Sequence, residues 1–157
     1  MKILLIQIEK TTDSYLTEGV KIYTERLKNY ISFSTETISM AKNIRQKPFD
    51  EQRRAEALEI QKLLDPSDFL VCMDEHGKQF TSVQFADFLN KRMVSGCKRV
   101  VFLIGGPFGI DKSILDKSSY VLSLSNMTFS HQMIRLFFCE QLYRGFSILK
   151  NEKYHHE

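Results

Sequence analysis

The stretch Val100-Val101-Phe102-Leu103-Ile104-Gly105-Gly106-Pro107-Phe108-Gly109 joins an apolar run of strand length directly to a glycine-rich turn. A continuous apolar run is typical of a strand buried on both faces, as in parallel sheets. Glycines directly after such a strand let backbone N–H groups approach a ligand closely. The dinucleotide-binding glycine spacing is absent, and the P-loop pattern from Gly106 would require glycine where Asp111 stands. Neither phosphate motif fits, so a ligand-binding turn and a plain tight turn both stay open on these residues.

Strands and helices alternate on both sides of this stretch. Further strands are predicted at Met1 to Ile8, Phe33 to Ser39, Phe69 to Met73 and Tyr120 to Leu124. Helices are predicted after Asp13 or Ser14, from Pro48 to Asp65, after Thr81 or Ser82, from Lys112, and from Ser130 towards Leu149. The buried sides of three of them are predicted at Leu16, Val20, Tyr23 and Leu27, at Ala55, Leu58, Leu63 and Leu64, and at Phe85, Phe88, Leu89 and Met93. This order predicts an α/β fold with a parallel-type sheet, in which ligands bind in the loops after Met73, Ile104 and Leu124.

Composition and length favour a single soluble domain over residues 1–157, because the chain has 43% hydrophobic and 26% charged residues. Three cysteines are present, and Cys72 and Cys139 stand in apolar runs, which favours a reducing, cytoplasmic environment. The opening apolar run ends at Gln7, too early for a signal peptide, and no run approaches the roughly 20 residues of a membrane span. Neither export nor membrane insertion is therefore predicted. Residues 79–157 carry ten basic and six acidic side chains, which gives an anionic partner only weak support.

Polar residues on the last helix point to two different roles. Glu140 and Arg144 are four apart in the order that favours a structural ion pair. Arg135 has no such neighbouring acid, and we expect it to be available to a phosphate or a carboxylate. The segment before this helix, Leu122 to His131, fits either a plain strand-to-helix connection capped by Ser130 or a loop that closes over an aromatic ring.

The chain end, Lys150 to Glu157, carries an aromatic residue and two histidines. Adjacent histidines without further ligands at familiar spacing do not define a metal site, so no metal is expected, and an ordered tail lying over a site is the better functional interpretation. His76 is interpreted as part of a solvated turn. For the basic residues Lys42, Arg45 and Lys47, phosphate contact and solvation both remain open.

Four motifs then carry a resemblance that covers the whole chain. They are Leu103-Ile104-Gly105-Gly106-Pro107, Leu122-Ser123-Leu124-Ser125-Asn126-Met127-Thr128 with His131 and Arg135, Glu140-Gln141-Leu142-Tyr143-Arg144, and Tyr154-His155-His156-Glu157. In this order they resemble the ribosomal RNA large subunit methyltransferase H family. The resemblance implies a SPOUT-type α/β fold with a C-terminal trefoil knot, a rare exception to the rule against threading. It also implies a homodimer whose sites are completed by the second subunit, and methylation by S-adenosylmethionine of N3 of a pseudouridine in large-subunit (23S) ribosomal RNA.

The resemblance also assigns roles to residues of this chain. Cofactor contacts fall on Met73, Gly105, Leu124, Ser125, Asn126, Met127, Thr128 and Phe129. Candidates for the reaction itself are His131, Arg144, Tyr154 and His155, with a histidine as general base. Arg135 and Arg144 are expected to contact RNA phosphates or the developing anionic base. The chain departs from the family's usual pattern at Phe108, Met73 and Lys153.

Three other functions remain as alternatives. A SPOUT-like enzyme acting on transfer RNA is disfavoured by the Tyr154-His155 tail, and a bare nucleotide-binding module by the missing glycine motifs. A ribosome-binding factor without catalysis would show itself by failing to bind the cofactor. One domain without an RNA-binding appendage offers little surface for selecting a nucleotide in naked RNA, so the assembled ribosome is the expected substrate.

Overall fold

The computed structural model describes residues 1–155. In chain order the elements are β1 (Lys2–Ile8), α1 (Ser14–Leu27), β2 (Ser32–Ile38), α2 (Lys42–Arg45), α3 (Phe49–Leu63), β3 (Phe69–Gln79), α4 (Ser82–Val94), β4 (Arg99–Ile104), α5 (Lys112–Leu115), β5 (Tyr120–Ser123) and α6 (Met133–Leu149). None of the helices in this described part of the chain is long and apolar enough to cross a membrane.

The strands form one sheet in the order β2-β1-β4-β3-β5, and every neighbouring pair is parallel. The predicted α/β fold with a parallel sheet is thereby confirmed. Because β3, β4 and β5 lie side by side and run in one direction, their carboxyl ends share one edge of the sheet. The loops that follow them therefore meet there.

Successive side chains of the central strands enter two separate cores, one on each face of the sheet. Ile3, Leu5 and Phe102 pack towards α1, α4 and α6, whereas Leu4, Ile6, Val101 and Leu103 pack towards α3 and α5. Burial on both faces explains why β4 is a continuous apolar run. Cys72 and Cys139 are fully buried within these cores, and burial raises the pKa of each thiol to about 12.

Strand β3 is longer than predicted. After Met73 its pairing with β5 shifts register and resumes at Lys78↔Leu122 and Gln79↔Ser123. His76, interpreted from sequence as part of a solvated turn, therefore lies in an irregular part of a strand, although its side chain is exposed. The sequence gives no apolar alternation over residues 74–79 that would have predicted this extension, which is joined to β5 by backbone pairing.

The helices differ from prediction in three further ways. Leu58 was expected to face the core but is 62% exposed, since α3 buries Gln52, Glu56, Ala57 and Ile60 instead. Short helix α2 was not predicted. Helix α6 begins at Met133 rather than at Ser130, whose hydroxyl accepts a hydrogen bond from the Met133 N–H at 3.2 Å.

Candidate active site

A cavity of about 520 Å³ opens at the edge where β3, β4 and β5 end. Its lining comes from within residues 73–75, 104–110 and 122–134. Two of these segments are loops that the sequence singled out, after Ile104 and Leu124, and they are joined by the first turn of α6. The third, predicted as a loop after Met73, lies within β3 at the point where its pairing with β5 becomes irregular. The volume lies in the range of sites that enclose a small organic ligand, roughly 300 to 1,000 Å³.

Most of the residues predicted to bind cofactor lie around this cavity. The lining includes Met73, Gly105, Leu124, Ser125, Met127, Thr128 and Phe129. Asn126 is exposed and lies outside the lining, although it belongs to the same loop. The cavity thus brings together predicted residues that lie up to 56 positions apart in the sequence, the separation between Met73 and Phe129.

Hydrogen bonds hold the loop between β5 and α6 in place. The Ser123 hydroxyl donates to the Ser125 carbonyl at 2.8 Å, and the Ser125 hydroxyl accepts from the Met127 N–H at 2.9 Å. Further along, the Thr128 hydroxyl donates to a carboxylate oxygen of Glu75 at 2.6 Å, which ties this loop to β3. A loop fixed in this way presents its backbone groups to a ligand without a large ordering cost.

The glycine turn after β4 is built by close backbone approach. A Cβ on Gly105 would lie 2.8 Å from the Ile110 side chain and 3.0 Å from the backbone of Gly109, which itself has φ +81°. A Cβ on Gly106 would lie 3.1 Å from a carboxylate oxygen of Glu56. The turn therefore needs these glycines for steric reasons, and no phosphate motif is needed to explain them.

Glu56 is a residue of the site that the sequence analysis missed. The residue is 6% exposed, and its carboxyl group lies behind the turn. Burial, together with the negative charge of Glu9, raises its pKa to about 7, despite the opposing effect of Arg53. The spacing of Gln52, Glu56 and Ile60 on one face of α3 was the available signal, but polar residues there suggested solvent rather than burial.

His131 is the titratable group of the predicted reaction set that lines the cavity. Burial, and secondly the neighbouring cation of Arg135, lower the pKa of its imidazole. The ring is therefore neutral near pH 7 and able to accept a proton.

Arg135 requires a correction. Its side chain is fully buried, and its guanidinium donates to the Thr11 hydroxyl at 2.9 Å and to the Ile8 carbonyl. Burial lowers its pKa to about 10, so the group stays charged at neutral pH. Arg135 thus joins α6 to the end of β1, and with no exposed surface it is not available to RNA phosphate as the sequence had suggested.

Arg144, Tyr154 and His155 lie together in what we call the tail cluster, with Glu140 and Tyr23. Arg144 donates to Glu140 at 2.6 Å, which confirms the predicted ion pair, and lies 4.7 Å from the centre of the Tyr154 ring. Its Nη1 is 3.4 Å from Nδ1 of His155. The Tyr154 hydroxyl donates to Glu140 at 3.1 Å and lies 3.2 Å from the hydroxyl of Tyr23. Burial and these two neighbours raise the pKa of Tyr154.

The tail cluster does not meet the cavity of its own chain. Ile134 borders the cavity, and Arg144 lies ten residues further along α6, which corresponds to about 15 Å of helix. The structure therefore separates His131 from the other three residues predicted for the reaction. The described part of the tail is ordered against α1 and α6 and not over the cavity, while His156 and Glu157 lie outside the described residues.

Comparison with known proteins agrees with this architecture. A family model described as predicted SPOUT methyltransferase matches residues 1–155. Proteins named ribosomal RNA large subunit methyltransferase H from Parabacteroides distasonis and Flavobacterium psychrophilum are 48% and 49% identical over 157 residues, which is the full length of each chain. A probable methylase family protein from Haemophilus influenzae has the same fold with a TM-score of 0.55 at 12% identity, over 99% of this chain and 70% of that one. The chain therefore belongs to the SPOUT methyltransferases, a family whose methyl donor is S-adenosylmethionine.

Proposed function

We propose that this chain methylates N3 of a pseudouridine in large-subunit (23S) ribosomal RNA, on the assembled ribosome in the cytoplasm. The observation that carries the proposal is the cavity at the ends of β3, β4 and β5, with a neutral imidazole at its border. The names of full-length relatives at 48% and 49% identity support ribosomal RNA as the substrate. We also propose that the chain segment after β5 is threaded into a trefoil knot, as the resemblance implied.

The residues around the cavity fit S-adenosylmethionine. Its adenine and methionine portions need apolar walls and backbone hydrogen bonds, which Leu124, Met127 and the glycine turn offer. Asp74 and Glu75 place carboxylates at the rim, where they complement the positive sulfonium and ammonium groups. When bound, the molecule supplies an electrophilic methyl group.

His131 is the proposed general base. N3 of pseudouridine carries a proton that must leave as the N3–methyl bond forms, and a neutral imidazole accepts it. Because the pKa of His131 is lowered by burial, the basic form persists below neutral pH. The remaining work is positioning, since holding donor and nucleophile in line removes much of the barrier.

The separation of the tail cluster from the cavity supports a two-chain site. An isologous dimer uses the same surface of both chains. If α6 packs antiparallel to its partner copy, the carboxyl-terminal half of one helix lies beside the amino-terminal half of the other, so the tail cluster of one chain approaches the cavity of its partner. Phe137 and Phe129 are each 39% exposed and pack edge to face at 4.9 Å, which gives this surface an apolar patch to bury. In the proposed dimer Arg144 holds an RNA phosphate or the anionic base, and Tyr154 and His155 position the nucleotide.

Transfer of labelled methyl to ribosomes that lack the modification tests the reaction. The proposal predicts label on N3 of a pseudouridine in intact ribosomes and far less on free ribosomal RNA. Label on transfer RNA would contradict the proposal and favour the alternative, a SPOUT-like enzyme that acts on transfer RNA. Cofactor binding without transfer to any of these substrates would contradict catalysis.

A mixing experiment tests the two-chain site. His131→Ala and His155→Ala are expected to be inactive separately. If the two residues act from different subunits, an equal mixture that exchanges chains regains about a quarter of the wild-type sites, because half of the dimers are mixed and each of these has one intact site. No recovery in a mixture shown to contain mixed dimers would place both residues in one subunit's site.

A further inference from the structure

Phe49, which is exposed, and Phe108, which is half-buried, form an aromatic pair beside the mouth of the cavity. Their ring centres are 4.0 Å apart and their planes differ by 20°, which is a stacked arrangement. Phe49, the first residue of α3, is 61% exposed. Phe108 belongs to the glycine turn, and its neighbours Pro107 and Gly109 both line the cavity. The pair therefore presents a flat aromatic surface next to the site where the methyl group is transferred.

This surface is held in place by a contact between α3 and the turn. Arg53, one turn after Phe49 on α3, donates a hydrogen bond to the Phe108 carbonyl at 3.3 Å and also pairs with Asp50. The two stacked rings thus belong to α3 and to the glycine turn, which are joined by the hydrogen bond from the Arg53 side chain to the backbone of the turn. A pre-positioned aromatic surface loses little conformational entropy when a planar group stacks on it.

The segment around Phe49 is positively charged. Residues 42–54 carry five basic side chains, Lys42, Arg45, Lys47, Arg53 and Arg54, and two acidic ones. The ion pairs in this segment are exposed, as in Lys47 with Glu51 at 3.1 Å, or long, as in Arg45 with Glu9 at 3.9 Å. Such pairs leave the surplus positive charge facing solvent, where it attracts a polyanion.

We infer that Phe49 and Phe108 form a stacking platform for an unpaired RNA base close to the methylated nucleotide, with the basic side chains of residues 42–54 contacting its phosphates. The inference rests on the proposed function, because it extends the same site towards its RNA. Proteins that hold single-stranded RNA combine an aromatic face with nearby cations in this way. An apolar protein partner would use the exposed ring but would not require the surplus of positive charge.

Variants at Phe49 test the platform, with Leu58→Ala as the matched control because Leu58 lies on the same helix and is 62% exposed. The probes are a fluorescent oligouridylate of about twelve nucleotides, followed by anisotropy, and unmodified ribosomes in the methyl-transfer assay. Phe49→Ala is expected to weaken oligonucleotide binding about fivefold or more. It should raise the KM for ribosomes by a similar factor with no comparable fall in kcat and with unchanged affinity for S-adenosylmethionine. Phe49→Tyr should restore both values, and Leu58→Ala should behave as wild type.

Several outcomes overturn the inference. The inference fails if Phe49→Ala binds the oligonucleotide with wild-type affinity. It also fails if Phe49→Leu has wild-type oligonucleotide affinity and wild-type KM for ribosomes, since an aliphatic side chain cannot stack. A raised KM for ribosomes with unchanged oligonucleotide binding assigns the pair to a ribosomal protein instead. If wild-type protein methylates no ribosomes, the proposed function fails, and the oligonucleotide measurement still decides whether the platform exists.

Discussion

Replacing Gly77 by alanine tests how tightly β3 and β5 are joined beneath the cavity. A Cβ at this position would lie 2.6 Å from the carbonyl carbon of Leu122 and 2.8 Å from the backbone nitrogens of Leu122 and Ser123. These are main-chain atoms of β5, which lead directly into the loop that lines the cavity. Unlike the end of a side chain, they cannot move aside without shifting the strand.

The expected cost follows from that geometry. Forcing an extra methyl group into a packed site costs about 1 to 3 kcal/mol, and we expect about 3 kcal/mol because backbone must move. For a chain of 157 residues this lowers Tm by about 6 to 12 °C. If half of that strain is relieved by opening the loop after β5, the Kd for S-adenosylmethionine rises about tenfold.

Thermal unfolding and titration calorimetry measure the two effects, and Gly19→Ala is the matched control. A Cβ on Gly19 would meet only the end of the Leu136 side chain, at 2.9 Å, and alanine is the better helix former within α1. We therefore expect the control to stay within about 1 kcal/mol of wild type. If Gly77→Ala has the same Tm as Gly19→Ala and the wild-type Kd for S-adenosylmethionine, β5 accommodates the added methyl group and is not tightly joined to β3.

Two further predictions concern buried charges near the cavity. The pKa of Glu56 is raised from 4.5 to about 7, so the folded state holds this proton more tightly than the unfolded state does. The resulting stabilisation is fully present below about pH 4.5 and is lost as the pH rises through 7. In the wild-type protein the free energy of unfolding should therefore fall by about 2 to 3 kcal/mol between pH 5 and 8, and Glu56→Gln should abolish this fall. Urea denaturation at several pH values measures it, with Glu59→Gln, at a half-buried position of the same helix, as control. The same fall in Glu56→Gln as in wild type would contradict the prediction. Arg135→Met should lower the free energy of unfolding by about 2 to 3 kcal/mol, because the Ile8 carbonyl and Thr11 lose their partner, while oligonucleotide affinity stays the same. Weaker oligonucleotide binding at unchanged stability would return Arg135 to the RNA-binding surface.

Local sequence patterns were enough to predict the parallel sheet and the loops that carry the site. The apolar run from Val100 to Ile104 is typical of a strand buried on both faces, and the alternation of strands and helices predicted a parallel sheet with ligands beyond the ends of its strands. The structure adds the order of the strands, which places β3 between β4 and β5. The burial of Leu58 was wrongly predicted because the periodicity of apolar residues does not fix which face of α3 is turned towards the core. The structure buries the face that carries the polar residue Glu56 instead.

Long-range contacts explain the rest. Arg135 seemed available because its partners, Thr11 and Ile8, lie 124 and 127 residues away and are invisible to local spacing. The resemblance grouped His131 with Arg144 and Tyr154, whereas helix α6 separates His131 from the other two within one chain. The three-dimensional arrangement shows which of the four residues lie at the cavity of their own chain, whereas the resemblance implied only that a second subunit completes each site.

A crystal structure of the protein with S-adenosylmethionine tests the position of the methyl-transfer site most directly. We predict one donor molecule per chain in the cavity between Met73, Gly105 and Leu124, with its methyl group directed towards His131. Donor bound at another surface, or a cavity that stays empty at saturating donor in solution and in the crystal, would contradict the claim that the ends of β3, β4 and β5 form the methyl-transfer site.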